Sequence, residues 1–566
     1  MMSIVVYISL ALLASATAQD CPAIHAGCSC QTTFYTRSIE CRQLGTVEVI
    51  PAFSSSNTQF RSLTIRETVV RTVQQRAFSG LRIQRLLLQN LGIQSISEDA
   101  FVGLDASYLE EIYIDANAIS VIHPGTFRNL SRLLSLQIQN NRLQTLPAGV
   151  FQGLTSLSSI YLFHNRLTSL PNDVFDGLDQ LVELKLDDNE LSVITSSTFR
   201  PLVKLERLHL QNNVLKRIDS RTFSSLATLR RLELQNNLLG SAGLESSVFV
   251  GLDALSVINL SNNNITEIAV DTFAYLSGLT QLDLRNNHLH RLDQMLFRNL
   301  TKLRKIYLSN NRLTNLPDDI FASQTSLRSL YLQQNDLRSI TYAHMRSLTS
   351  LNYLYLDSNA LESLPADSLS DLTALRSISL NDNEICSLEP GTLTNCRSLT
   401  TFSMKRNKIR RLPSGIFQHL PKLSSIFLGN NLVTSIVSET FVNLTSLEHI
   451  ELSSNRVTAV AGTAFLDLPR LVTLDLDNNY ITAVPVNALQ QLPKLTTLHL
   501  NNNSLTSLPN ALFEGHAQLR RLMMSNNQIE HVDSGTFTSL PNLERLDLSN
   551  NRLSTFVAGQ RCRYVF

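Results

Sequence analysis

One period governs this sequence. From Leu133 the frame L-x-x-L-x-L-x-x-N returns at Leu157, Leu181, Leu205 and Leu229, then from Leu255 through Leu279 to Leu543. The step is 24 residues, broken once by a step of 26 between Leu229 and Leu255. Weaker copies begin at Phe60, Ile83 and Leu109, giving 21 units within 566 residues. A unit this short cannot close a core alone, so neighbours must stack and share one. The roughly three or four globular domains that length alone would suggest give way to a single repeating architecture.

The spacing inside a unit says how the stack is built. In Leu205-Glu206-Arg207-Leu208-His209-Leu210, apolar positions alternate with polar ones at the end of the frame, the mark of a half-buried strand. Eight residues after each leading position comes an Asn, from Asn117 through Asn141 and Asn165 to Asn551, in 19 of the units. A buried carboxamide both donates and accepts, so it can pair backbone groups in its own turn and in the next. Thr68 and Leu91 take its place in the first two units, whose turns are therefore expected to be held differently, by the cysteine-bearing segment. A second column, Phe127, Phe151, Phe175, Phe199, Phe223, Phe249, Phe273, Phe297 and Phe321, reads as core on the opposite side. Met345, Leu369 and Leu393 interrupt it before Phe417, Phe441 and Phe465 resume, and thinner packing is expected at the interruption. The predicted fold class is an α/β solenoid, with a parallel sheet lining one side and irregular or short helical segments the other. Because strands sit ~4.8 Å apart and the outer segments need more room, such a stack curves into a horseshoe.

The ends differ from the middle. Ile4–Leu13 is a short apolar run followed by Ala16-Thr17-Ala18, which reads as a removable secretory signal over residues 1–18. No later segment approaches about 18 uninterrupted apolar residues, so no transmembrane segment is expected. Cys21, Cys28, Cys30 and Cys41 cluster behind the signal. In a secreted chain an even cluster reads as a disulfide framework, with zinc the less favoured alternative. The expected organisation is a cysteine-rich N-terminal cap over 19–59, a repeat solenoid over 60–556, and an atypical or truncated C-terminus over 557–566.

The repeat, its downstream Phe and the head Cys21-x6-Cys28-x-Cys30-x10-Cys41 before Ile50-Pro51 together resemble the extracellular class of leucine-rich repeat proteins with a cysteine-rich N-terminal cap. That class includes the acid-labile subunit, Slit-like guidance proteins, Toll-like receptor ectodomains and variable lymphocyte receptors. The resemblance implies disulfides Cys21–Cys30 and Cys28–Cys41, and a concave face that binds other macromolecules. The tail departs from the pattern of that class, which usually ends in a four-cysteine cap: it holds only Cys562 and the chain has no Trp, so a truncated sequence or a last repeat capped by a partner is expected.

Composition narrows the function. With 48 Lys+Arg against 47 Asp+Glu, the chain lacks the basic excess of a nucleic-acid binder, and no nucleic acid partner is expected. His209, His449 and His499 fall on distant repeats without a companion nucleophile or a HExxH spacing, so no enzyme, catalytic residue or cofactor is expected. Asp187-Asp188 and Asp475/Asp477 offer oxygen ligands for Ca²⁺, but read more simply as surface charge, and no metal is expected.

The fifth residue of each frame should face solvent. From Leu279 onward that column runs Asp283, Tyr307, Tyr331, Tyr355, Ser379, Ser403, Phe427, with Tyr353 beside Tyr355 and Arg304, Lys305 and Arg328 flanking. Tyr and Arg are the side chains most enriched at binding hot spots, so these seven Tyr, Arg and Lys residues are the candidate ligand-binding site. The plainer reading is a ladder stabilised by cross-strand contact. Asn-x-Ser/Thr sequons fall at Asn129, Asn259, Asn264, Asn299, Asn443 and Asn502, as secretion would suggest. Asn259 occupies a fifth position, where a glycan would confine a ligand to later repeats. Cys386 and Cys396, in one repeat, could form a disulfide or remain two thiols, and Cys562 is unpaired by count. The function expected is a secreted or cell-surface binding protein for an extracellular protein ligand, in signalling control, guidance, adhesion or matrix organisation, with a homo-oligomer left open. The alternative is the ectodomain of an innate immune pattern-recognition receptor.

Overall fold

The structure, a computed structural model, describes residues 27–32, 36–50, 53, 58–533 and 535–554. The signal segment, Cys21, Pro51, Cys562 and the expected C-terminal segment from 557 lie outside them. The chain divides into two units, Met1–Leu255 and Ser256–Phe566; each is a stack of parallel turns.

In the first unit, β1 (Cys28–Thr32) runs antiparallel to β2 (Arg37–Val49), and the Cys28–Cys41 disulfide joins two residues directly opposite in register. Cys30 is also disulfide-bonded; Cys21, its expected partner, is outside the described residues. β2 pairs in parallel with β3 (Gln59–Val73), so the ladder begins inside the segment expected to form the cap. β3 pairs with β4 (Arg82–Leu87), and three-residue strands follow from Glu111–Tyr113 to Arg231–Glu233. In the second unit the strands run from Val257–Asn259 to Arg545–Asp547, each residue paired with the one 24 further on. The repeat length is thus the register of the sheet. Strand centres such as Leu184 and Leu330 are fully buried, and each contributes about 1.5–3 kcal/mol through removal from water.

The Asn column does what its chemistry allows. Asn141 donates from Nδ2 to the carbonyls of Ile138 (3.1 Å) in its own turn and Ile114 (3.0 Å) in the one before, while its Oδ1 accepts the Ile119 N–H at 3.0 Å. The pattern recurs at Asn287, Asn335 and Asn455. Each side chain bridges two turns, leaving no backbone group orphaned at a cost of ~1–3 kcal/mol. The first unit is tied to the cysteine-bearing segment as expected, and the second is not. The Thr68 hydroxyl accepts the Leu44 N–H (3.1 Å) and donates to the Arg66 carbonyl (3.0 Å), a shorter version of the same bridge. At Leu91 the next Asn reaches back: Asn117 Oδ1 accepts both the Leu91 and Ile93 N–H groups.

On the other side the phenylalanines stack, as between Phe175 and Phe199 with centroids 6.2 Å apart. Where the column is interrupted its positions stay inside. Met345, Leu369 and Leu393 are buried, and Phe402, from the strand side, turns its edge onto Phe417 at 5.5 Å. Helix is scarce among the described residues: Tyr342–Met345 and Val486–Leu489 are α-helical, Ser241–Gly243 and Asn510–Phe513 are 3-10 turns.

Candidate functional site

In a three-residue strand the first and third side chains leave the sheet on the face opposite the core. Register then decides who meets whom. Lys305, Ser329 and Tyr353 form one row across three strands, and Tyr307, Tyr331 and Tyr355 form the next. The second row is a stack: ring centroids lie 4.5 Å apart between Tyr307 and Tyr331 and 5.0 Å between Tyr331 and Tyr355, each pair 12° from parallel. Arg304 and Arg328 sit one residue before the strands, joined by a backbone bond from the Arg328 N–H to the Arg304 carbonyl at 2.9 Å. All seven candidate residues therefore occupy one patch. Arg304, Lys305, Arg328 and Tyr353 are exposed, and the stacked rings are half-buried.

Two residues complete the patch that column reading did not single out together. Asp283 is buried, 1% exposed, and grips the Arg285 guanidinium through Nε (3.0 Å) and Nη2 (2.7 Å). Arg285 in turn lies 5.0 Å over the Tyr307 ring, a cation on the negative face of an aromatic. The signal was present as Asp283-x-Arg285 on one face of a strand. Burial raises the Asp283 carboxyl despite its bonds to Arg285. Burial also raises the Tyr307 and Tyr355 phenols, with the neighbouring Tyr331 adding to both, so these hydroxyls stay protonated hydrogen-bond donors at neutral pH.

Elsewhere the same face is closed upon itself. In the second unit, Asn381 takes the Lys405 N–H (2.7 Å) and the Ser403 hydroxyl (2.7 Å), and Lys405 lies over Phe427 with its Nζ 2.8 Å from Glu451. In the first unit, Lys185 lies 4.6 Å over Tyr161, whose hydroxyl donates to Glu183 at 3.0 Å, and Glu183 also meets Arg207 at 3.3 Å. The fifth column is thus less uniformly open than the frame implies: besides Asp283, Glu233 is also buried.

His209 faces Glu183 at 3.6 Å and His499 faces Asp477 at 3.5 Å. Burial lowers the first imidazole, whereas the bond to Asp477 raises the second. Burial, with Asp188 adding to it, pushes Asp187 up to about 6. Among the described residues no group of three or more His, Cys, Asp or Glu is arranged to hold a metal ion. Cys386 and Cys396 are two free thiols, the first exposed and the second buried. Of the sequon residues, Asn129, Asn264, Asn299, Asn443 and Asn502 are exposed, while Asn259 is half-buried in its strand opposite Asp283.

The leucine rich repeat family matches in eleven overlapping segments, from 107–167 to 179–239 and from 242–289 to 493–553. The chain belongs to that family. A chain of the Drosophila Toll–Spatzle complex superposes with a TM-score of 0.64 at 18% identity, covering 93% of this chain and 89% of that one. A Leptospira interrogans leucine-rich repeat protein gives 0.54 at 24% identity, over 68% of this chain and 95% of that one. YopM of Yersinia enterocolitica gives 0.50 at 21%, over 85% and 91%. These are likenesses of fold. No curated protein matches the chain.

Proposed function

We propose that the chain is a secreted or cell-surface binding protein that captures an extracellular protein ligand on the strand face of its second unit, serving signalling control, guidance, adhesion or matrix organisation. The observation that carries this reading is the Tyr307–Tyr331–Tyr355 stack with exposed Tyr353 alongside. Aromatic area held rigid before binding loses little entropy on contact, and Tyr adds a hydrogen-bonding tip. The Cys28–Cys41 disulfide supports an oxidising compartment. No helix among the described residues is long and apolar enough to cross a membrane. Shared fold with a chain of the Toll–Spatzle complex favours a protein ligand, and the same face would serve if the chain is an innate immune receptor ectodomain.

Tyr331→Ala tests the reading. Thermal unfolding should hardly change, because the ring packs on the outer face of the sheet and not in its core. Capture of extracellular proteins displayed on an array should fall about tenfold or more, the effect of losing one hot-spot side chain. Undiminished capture would remove the stack from the binding site.

A further inference from the structure

The carboxylates that act on the tyrosine stack, Asp283 and Asp357, are already bonded, the first to Arg285 and the second to Ser379 and Asn381, and beside them stands a row of cations. No Asp or Glu occurs between Asp293 and Asp318, the stretch that supplies Arg304 and Lys305 to the patch. Backbone bonds run from Arg328 N–H to Arg304, from Asn352 N–H to Arg328 and from Arg376 N–H to Asn352, at 2.9, 2.9 and 2.8 Å. They place Arg304, Arg328 and Arg376 along one edge of the patch, beside Lys305. Among the described residues none of these four cations has a carboxylate within ion-pair distance. Within the patch Arg285 is neutralised by Asp283, and beyond it Lys405 is neutralised by Glu451 and Arg406 by Asp382. Arg304 and Arg328, on successive strands ~4.8 Å apart, repel one another until a counter-charge arrives.

The stack itself has a matching preference. Both faces of Tyr331 are covered by its neighbours, and those of Tyr307 by Tyr331 and Arg285. Apart from the far side of Tyr355, the rings offer incoming groups their edges and hydroxyls. Aromatic edges are electropositive and phenols donate hydrogen bonds, so both favour an oxygen acceptor. Sugar rings, which pack on aromatic faces, find those faces occupied.

We propose that this patch takes an acidic segment of the protein ligand, one whose Asp and Glu side chains pair with Arg304, Lys305, Arg328 and Arg376 while its backbone or carboxylates accept from the tyrosine hydroxyls. The inference rests on the protein-binding reading above and names the chemistry of the partner.

The test uses the full chain and a fluorescent peptide of alternating Glu and Ser, with a Gln–Ser peptide and heparin as comparators. The Glu–Ser peptide should bind saturably, weaken as salt rises, and exceed the Gln–Ser peptide at least tenfold. A combined Arg304→Gln, Lys305→Gln, Arg328→Gln variant should lose that difference, whereas Arg410→Gln with Arg411→Gln, two exposed cations outside the strands and three repeats or more from the tyrosines of the first two stacked strands, should keep it. Charge reversal to Glu at the same three positions should transfer binding to a Lys–Ser peptide, which also shows that the variant is folded. Equal affinity for both neutral and acidic peptides would overturn the proposal, as would heparin binding more tightly than the Glu–Ser peptide at the same residues. Failure here with Tyr331→Ala still abolishing protein capture would leave the binding site standing and remove only its acidic preference.

Discussion

At the scale of single residues, this fold depends on side chains that satisfy the backbone. Each ladder Asn closes two turns at once, so its position is dictated by hydrogen-bonding need rather than by local propensity. Asp187 shows the converse. It stands on the strand face of the first unit with Oδ1 buried and unpartnered, and burial lifts its carboxyl from 3.8 to about 6. Between those values the folded chain binds more protons at this site than the unfolded chain, so stability falls as pH rises through that window. Asp187→Asn should therefore raise the free energy of unfolding at pH 7 and above, by about 1–2 kcal/mol after allowance for partial solvent exposure. It should do almost nothing at pH 3.5, where the folded chain holds the proton and the unfolded chain mostly does. Urea titrations at the two pH values check it; an equal effect at both would assign the change to packing.

At the scale of the element, columns running through the stack explain more than any single turn. An inward position that is Leu in most repeats becomes Gln324, Cys396 and His516, all buried. Each reaches the carbonyl of the residue 27 before it: Gln324 to Phe297 at 2.7 Å, Cys396 to Leu369 at 3.8 Å, His516 to Leu489 at 2.9 Å. A carbonyl only accepts, so the His516 Nε2 carries the proton. Burial pushes the Cys396 thiol up to about 12, leaving almost no thiolate at neutral pH, and the thiolate is the reactive form. Iodoacetamide should label Cys386 in the native chain and spare Cys396 until denaturant is added, as read by peptide mass mapping. Labelling of both at equal rates would mean that this part of the column opens readily.

The sequence made much of this legible, for a physical reason. Residues separated by one period become lateral neighbours, so Tyr307, Tyr331 and Tyr355 could be placed side by side from spacing alone. The same logic located the Asn and Phe columns. What spacing does not encode is where a flexible side chain swings. Arg285 could have reached solvent, yet buried Asp283 turns it over Tyr307. Thr68 replaces Asn with a group that both donates and accepts, and Phe402, buried from the strand side, meets Phe417 where the Phe column resumes. These are choices of rotamer and of local volume, settled only when neighbouring turns are in place.

At the scale of the whole molecule, stability in a repeat stack is a sum over neighbouring turns rather than a property of one centre. Removing one whole period should therefore be tolerated. Deletion of Leu495–Gln518, 24 residues, would bring Thr473–Asp475 against Arg521–Met523 with every column in phase. Far-UV circular dichroism and a cooperative denaturant transition should survive. Deleting only Leu495–Thr506 sets Asn and Leu columns out of phase, and should give an aggregating or non-cooperative product. If the two deletions behave alike, additivity between turns is the wrong description.

The absence of Trp and the presence of 13 Tyr give the stacked trio one more consequence. Excited at wavelengths where Phe does not absorb, this chain emits from phenol rings alone, and three of them sit face to face at the proposed contact surface. A partner that settles there alters the polarity and hydrogen bonding of those chromophores directly, so the molecule carries a built-in optical reporter of its own occupancy, readable without any dye.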